Sequence, residues 1–210
     1  PIEVCGPMRG GKVTVDGSMS SQFITGLLIA LPMAERDTTV EVKGAVSTPY
    51  IDMTLDTIER FGVEVMYNKG DYTQFYIEAG QQYRGVDYTI ESDWSSAAAI
   101  MVAAAIAGEV TIKNISMLSR QADTAICRAL ERAGASIISE EQSITISHRK
   151  LEAFDFDATH CPDLFPALVA LAAASEGVSI IKGISRLRGK ESDRGEVLKQ
   201  EYEKLGIDIE

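Results

Sequence analysis

Arg60-Phe61-Gly62-Val63, Arg132-Ala133-Gly134-Ala135 and Lys204-Leu205-Gly206-Ile207 close three amphipathic stretches in the same way, about seventy-two residues apart. Each glycine follows a helical pattern and precedes a β-branched run. That is the signature of a helix C′ position, where a positive φ carries no Cβ strain. A fixed period of this length marks a repeat architecture. It also predicts that helix starts, which are natural anion sites, recur in equivalent places.

Working outward from the glycines, the first repeat reads as a strand at 12–16, a helix at 20–34, a strand at 38–43, a helix at 49–61 and a strand pair at 63–67 and 74–79. The second repeats this at 88–92, 94–107, 110–114, 123–133, 136–139 and 143–147. The third runs through 154–159, 163–175, 178–182 and 192–205 and stops in a strand at 207–210. Each unit is βαβαββ, and the expected class is α+β: repeated units with buried apolar helices under mixed sheets. Pro1-Ile2-Glu3-Val4 reads as the closing strand of an earlier unit, so the expectation is a piece of a longer protein.

The two helices of a unit differ in kind. The first is apolar all round, as in Leu27-Leu28-Ile29-Ala30, which argues for burial on every side. The second carries a stripe, such as Ile51, Leu55 and Ile58, with Asp56 and Glu59 turned to water. The strands alternate, as at Val40/Val42 and Ile144/Ile146, the pattern of sheets with one wet face.

A net charge of −11 argues against a nucleic-acid partner, which needs a basic footprint. No apolar run reaches membrane-spanning length and no secretory leader opens the chain, so a cytoplasmic protein without a membrane partner is expected. Cys5, Cys127 and Cys161 show no metal spacing and read as reduced, buried thiols. His148 and His160 have nothing around them at ligand spacing, so no metal site is expected.

What remains is a small anionic ligand held by local donors. The helices open on Ser20-Ser21-Gln22, Ser47-Thr48-Pro49-Tyr50, Ser95-Ser96, Ser119-Arg120-Gln121, Cys161-Pro162-Asp163 and the run from Arg186 to Arg194. Ser95 and Ser119 read most simply as N-caps. The last run does not. A helix N-terminus carries a partial positive charge, so Lys190 and Arg194 there oppose the macrodipole, and their spacing of four puts them on one face.

Gly17-Ser18-Met19-Ser20-Ser21-Gln22-Phe23, Pro49-Tyr50-Ile51-Asp52, Pro162-Asp163 and Gly189-Lys190-Glu191-Ser192-Asp193-Arg194 resemble, in order and spacing, the signature motifs of the 5-enolpyruvylshikimate-3-phosphate synthase family. The resemblance covers the whole chain. It implies the inverse α/β-prism fold of enolpyruvyl transferases, two domains of three βαβαββ units each. Residues 1–86 would be the final unit of one domain and 88–210 the first two units of the other, the last incomplete, with a hinge crossing near Asp87–Asp93. It implies transfer of the enolpyruvyl group of phosphoenolpyruvate to shikimate 3-phosphate with release of phosphate, by a cytoplasmic monomer with no metal or organic cofactor, in aromatic amino acid biosynthesis.

By the same resemblance Ser20, Ser21, Gln22, Ser47 and Tyr50 grip the shikimate phosphate and ring, and Arg186 and Lys190 stand near them. Arg186 departs from the asparagine that many relatives carry. Asp163 deprotonates the attacking hydroxyl, Glu191 relays a proton at the enol methylene, Lys190 and Arg194 balance the carboxylate and phosphate charges of the addition intermediate, and Gln22, Glu191 and Arg194 meet phosphoenolpyruvate. Pro166 leaves open whether Asp163 sits in the helix or on a loop before it. The family's lysine–serine–arginine set near its beginning, an arginine-bearing glycine loop, and an arginine and lysine near its end have no counterpart here, so the segment alone is expected to be inactive. Two other readings are a UDP-sugar enolpyruvyl transferase and a non-catalytic repeat clamp. Neither accounts for Ser-Ser-Gln together with Lys-Glu-Ser-Asp-Arg.

Overall fold

The computed structural model describes residues 1–187 and 192–210. The chain forms two compact units, Pro1–Thr89 and Ile90–Glu210.

In the first unit, β1 (Gly11–Asp16), β2 (Thr38–Lys43), β3 (Met66–Tyr67) and β4 (Gln74–Ile77) make one sheet in the order β1-β2-β4-β3. β1 and β2 are parallel, and the other pairings are antiparallel. The crossover from β1 to β2 is the helix α1 (Gln22–Ala30), and α2 (Thr48–Arg60) follows β2. The core gathers Ile24 and Leu28 of α1, Ile51 and Ile58 of α2, and Val40 and Phe75 of the sheet.

In the second unit, α3 (Trp94–Ala107), β5 (Glu109–Lys113), α4 (Ile126–Arg132), β6 (Ser136–Ser139) and β7 (Ser143–Ser147) repeat the pattern, with sheet order β5-β7-β6. A third turn of the repeat supplies β8 (Asp155–Asp157), α5 (Phe165–Ala173), β9 (Ile180–Lys182) and α6 (Arg194–Glu203), with β8 and β9 parallel. One continuous core joins these last two repeats: α3 packs on α5, and Trp94, Met101, Ile126, Leu130, Ile146 and Leu168 lie within it.

The repeated glycines do what their spacing predicts. Gly62, Gly134 and Gly206 sit at φ of +83°, +90° and +76°. Each is followed by the same double closure: Val63 N–H to the Ile58 carbonyl with Gly62 N–H to Glu59, and likewise Ala135 to Leu130 with Gly134 to Glu131, and Ile207 to Tyr202 with Gly206 to Glu203. This is a Schellman cap, which satisfies carbonyls that the helix end would otherwise leave bare. At Gly134 a Cβ would also come 3.1 Å from the Lys150 carbonyl. Gly134→Ala is therefore expected to cost about 1–2 kcal/mol, the penalty of an L-residue in the left-handed region. Urea unfolding of the second unit reads this directly, and an unchanged midpoint would contradict it.

Several expected elements are corrected. Residues 88–92 form no strand: the Tyr88 ring packs 5.7 Å from Phe61 and 5.6 Å from the Arg60 guanidinium, Ile90 is 80% exposed, and the Ser92 carbonyl is taken by the Gln121 side chain. Residues 1–4 and 207–210 likewise join no ladder, and Ile2 and Val4 stand in solvent. The strand expected at 63–67 shortens to β3 because both backbone groups of Glu64 are bonded to the Gln81 amide. The helix expected at 20–34 ends at Ala30, and Leu31–Met33 tightens into a 3-10 turn around Pro32, which has no N–H to give. The helix expected at 123–133 likewise begins as a 3-10 turn at Ala122–Ala125.

Burial of the apolar helices on every side is also corrected for α1. Ile24 and Leu28 are buried, but Phe23 and Ile29 are about half exposed at 56% and 49%. Where α3 and α5 cover each other, α1 has no sister helix inside its own unit. No helix among the described residues is long and apolar enough to cross a membrane.

Candidate functional site

Parallel strands deliver two of the three repeats' helix starts side by side. In the first unit, β1 and β2 run parallel into the loops 17–21 and 44–47. Gly17 makes the approach possible: its N–H bonds the Lys43 carbonyl at 2.9 Å, and a Cβ there would lie 2.9 Å from Val42 and 3.2 Å from the Ala45 backbone. A Cβ on Gly44 would in turn meet Ser18 at 3.4 Å. The serine loop and the loop leading to Ser47 are therefore neighbours at the carboxyl ends of two parallel strands, where open α/β sheets bind ligands.

Asp16 builds the first of these loops. Its Oδ1 accepts from the Ser18 amide at 2.9 Å and the Ser18 hydroxyl at 2.6 Å. The hydroxyl first, then the amide, hold its carboxyl below the usual value of 3.8. Ser20 Oγ accepts the Gln22 N–H at 3.2 Å, and the Ser21 carbonyl accepts from Thr25, so both serines lie at the entry of α1 with Ser21 buried. Gln22, the first residue of α1, is exposed. Ser47 is buried at φ +53°, its carbonyl takes the Tyr50 N–H at 3.1 Å, and Pro49 stands where a first-turn N–H would be spare. Neither α1 nor α2 has an acidic residue in its first turn, so no carboxylate of the helix itself competes for an anion there.

The third repeat has the same corner. β8 ends in a second aspartate turn, Asp157 to the Thr159 amide at 2.9 Å, and the Thr159 hydroxyl and amide keep the Asp157 carboxyl low. Gly183 at the end of β9 approaches so closely that a Cβ would lie 2.7 Å from the Thr159 nitrogen. Out of this crossing come the 3-10 turn Pro162–Leu164, which carries Asp163, and the 3-10 turn Ile184–Leu187, which carries half-buried Arg186. Pro166 is the second residue of α5, so Asp163 stands in the turn before the helix.

Gly195, buried against Ile184, docks the start of α6 on this corner, and Arg194 Nη1 reaches Asp163 Oδ1 at 2.7 Å. Two residues thirty-one positions apart are thus brought into contact. Lys190 and Glu191 lie outside the described residues.

The middle repeat closes its corner on itself. Gln121 accepts the Trp94 N–H at 2.9 Å and donates to the Ser92 carbonyl at 2.9 Å, filling the equivalent space with its own amide. Ser95 is not the cap of α3. Asp93 is, receiving the Ser95 and Ser96 amides and hydroxyls, which hold its carboxyl low, the Ser96 hydroxyl foremost. Ser119 likewise closes a small turn on the Gln121 amide. The sequence signal for these turns was available in Asp16-Gly17-Ser18 and Asp157-Ala158-Thr159, one aspartate two residues before a hydroxyl at each strand end.

The cysteines take no part. Burial pushes the Cys127 thiol up to about 11 and the Cys161 thiol up to about 12, far from a thiolate at neutral pH. Cys5, expected to be buried, is exposed. An open groove of about 380 Å³ between α1 and α2 is lined by Ile29, Met53, Phe61 and Tyr83 among others, and its apolar walls suit no anion.

Residues 1–210 match the family model described as EPSP synthase (3-phosphoshikimate 1-carboxyvinyltransferase). The chain belongs to the EPSP synthase family. Among curated relatives, the 3-phosphoshikimate 1-carboxyvinyltransferase of Methanosphaera stadtmanae is 40% identical over 216 residues, covering 100% of this chain and 50% of the relative. The enzyme of the same name from Buchnera aphidicola subsp. Acyrthosiphon pisum is 42% identical over 213 residues, covering 100% and 49%. A solved EPSP synthase from Acinetobacter baumannii superposes with a TM-score of 0.70 at 28% identity, covering 91% of this chain and 44% of that one. The chain therefore has the EPSP synthase fold, α+β, and spans about half the length of the curated relatives it matches.

Proposed function

We propose that this chain is the central part of an enzyme that transfers the enolpyruvyl group of phosphoenolpyruvate to the 5-hydroxyl of shikimate 3-phosphate, releasing phosphate. In this reading residues 1–86 close one domain and residues 88–210 open the other. The contact that carries it is the Arg194–Asp163 pair at 2.7 Å, which sets a base for the acceptor hydroxyl beside a cation for the donor's carboxylate.

The chemistry follows from the residue types. Ser20, Ser21, Gln22, Ser47 and Tyr50 hold the shikimate phosphate and ring with hydroxyl, amide and phenol donors at two adjoining helix starts. Asp163 takes the proton of the 5-hydroxyl as its oxygen bonds to C2 of phosphoenolpyruvate. Glu191 delivers a proton to the methylene carbon, giving a tetrahedral adduct. Breaking the C2–O bond to phosphate and returning the methyl proton to the enzyme restores the double bond, now in an enol ether. Lys190 and Arg194, with Arg186 nearby, balance the carboxylate and phosphate charges of that adduct. Gln22 serves both substrates. In this reading the chemistry needs no metal or organic cofactor.

In this reading the shikimate-phosphate half-site is mostly inside the chain, while the phosphoenolpyruvate half-site draws on segments outside it. Calorimetry on the 210-residue chain is expected to show, at most, weak binding of shikimate 3-phosphate. Tight phosphoenolpyruvate binding without the other substrate would contradict this division.

A further inference from the structure

The turn between β3 and β4 is doing something that the sheet does not require. In the second unit β6 and β7 are joined by residues 140–142, closed by Glu140 N–H to the Ser143 carbonyl and Ser143 Oγ to Glu140. Among the described residues no side chain of that turn is hydrogen-bonded to α4. The first unit spends residues 68–73 on the same connection.

One residue of the longer turn reaches back across the unit to α2, and the residue after it continues the sheet. The Tyr72 hydroxyl lies 2.8 Å from both carboxylate oxygens of Asp52 in α2. The Thr73 carbonyl accepts the Val42 N–H at 2.7 Å, the next rung of the β2–β4 ladder after Glu41 and Gln74. Val42 and Asp52 bracket one loop, the segment 44–47 and the first turn of α2, which carries Ser47 and Tyr50. Tyr72 holds this reach in a left-handed backbone at φ +52°, and Ser47 is left-handed at φ +53°. Such positions cost an L-residue free energy and persist only where surrounding contacts fix them. The Tyr72 ring is braced in turn against Tyr67, which stacks on the fully buried Phe75 at 5.6 Å.

From this geometry we infer that Tyr72 and Asp52 are positioning residues: the phenol–carboxylate latch fixes the Ser47 loop and the start of α2 for the phosphorylated acceptor. The inference rests on the proposed function for the identity of that acceptor. The latch itself does not.

Two measurements on the full-length protein carrying this segment test it together. Tyr72→Phe deletes only the hydroxyl. Amides of Tyr50 to Thr54 should then exchange with solvent about tenfold faster, the order expected for losing a hydrogen bond to a charged group, while those of Leu55 to Arg60 stay as they were. In steady-state kinetics KM for shikimate 3-phosphate should rise about tenfold, with kcat and KM for phosphoenolpyruvate within about twofold, the mark of lost ground-state positioning. Asp52→Asn keeps an acceptor oxygen and should give a smaller rise. The double variant should be no worse than Tyr72→Phe alone, because both changes open one contact.

Unchanged exchange in α2 would overturn the latch. Faster exchange with an unmoved KM, or kcat and both KM values shifting together with a lower thermal midpoint, would reduce it to a purely structural contact and overturn the positioning role. Wild-type protein that does not turn over shikimate 3-phosphate would remove the acceptor named here, and the exchange experiment would still decide the latch.

Discussion

Asp163→Asn in the full-length protein should lower kcat by about 10²–10⁴, the contribution typical of a positioned general base. The amide keeps the shape and an acceptor oxygen for Arg194, but cannot take the proton of the attacking hydroxyl. Loss of folding does not provide the same result: the Asp163 and Arg194 side chains are 38% and 30% exposed, and ion pairs so wet contribute within about 1 kcal/mol. The thermal midpoint should therefore hold while turnover collapses, and KM for either substrate should move far less than kcat. Glu191→Gln should show a loss of the same order, since in the proposed mechanism it removes the proton donor to the methylene carbon. Near-normal turnover in either variant would show that the residue has been given the wrong role.

The 210-residue chain alone should show no measurable transferase activity even though its repeats fold. Each unit has its own core, so order can survive without the rest, as in other architectures where a repeat contacts mainly its neighbours. Catalysis is less tolerant, because a slip of about 1 Å already costs on the order of 10² in rate. In the proposed mechanism part of the charge that balances two phosphates and a carboxylate comes from outside this segment. A phosphate-release assay with both substrates at millimolar concentration, run beside the full-length protein, decides the matter. Turnover within a thousandfold of the full-length protein would show that the other segments are not needed for the chemistry.

The glycine repeat was legible because a Schellman cap has a local chemical requirement, a residue free of Cβ strain at positive φ, and Gly62, Gly134 and Gly206 meet it identically. Binary patterning likewise placed β2, α3, β6 and β7 at or very near their observed bounds. What failed depended on partners that a one-dimensional pattern does not name. Residues 88–92 alternate like a strand, yet their backbone and side chains are engaged by Phe61, Arg60 and Gln121. Phe23 and Ile29 are as apolar as the core, but nothing within their unit covers them.

The candidate site divides in the same way. The serines at the entry of α1, and Asp163 with Arg194, were visible as residue types at helix starts. The approach of the serine loop to the Ser47 loop within the first unit, and of Asp163 to Arg194 within the second, was not, because it depends on Gly17, Gly183 and Gly195 letting loops close to contact distance. Asp93 caps α3 where the sequence favours Ser95, since aspartate and serine compete for that role and only geometry separates them. The Tyr72–Asp52 contact joins residues twenty apart through a left-handed tyrosine, a conformation that no propensity would have suggested.

The central claim is that these residues form part of a site for enolpyruvyl transfer to shikimate 3-phosphate, and it is tested most directly by product analysis on the full-length protein. Phosphoenolpyruvate should be offered with shikimate 3-phosphate in one reaction and with a UDP-sugar acceptor in another. The expected result is one phosphate released for each enol ether formed on the 5-hydroxyl of shikimate 3-phosphate, with the UDP-sugar unchanged. Enol ether on the UDP-sugar with shikimate 3-phosphate untouched, or phosphate released from neither mixture, would contradict it.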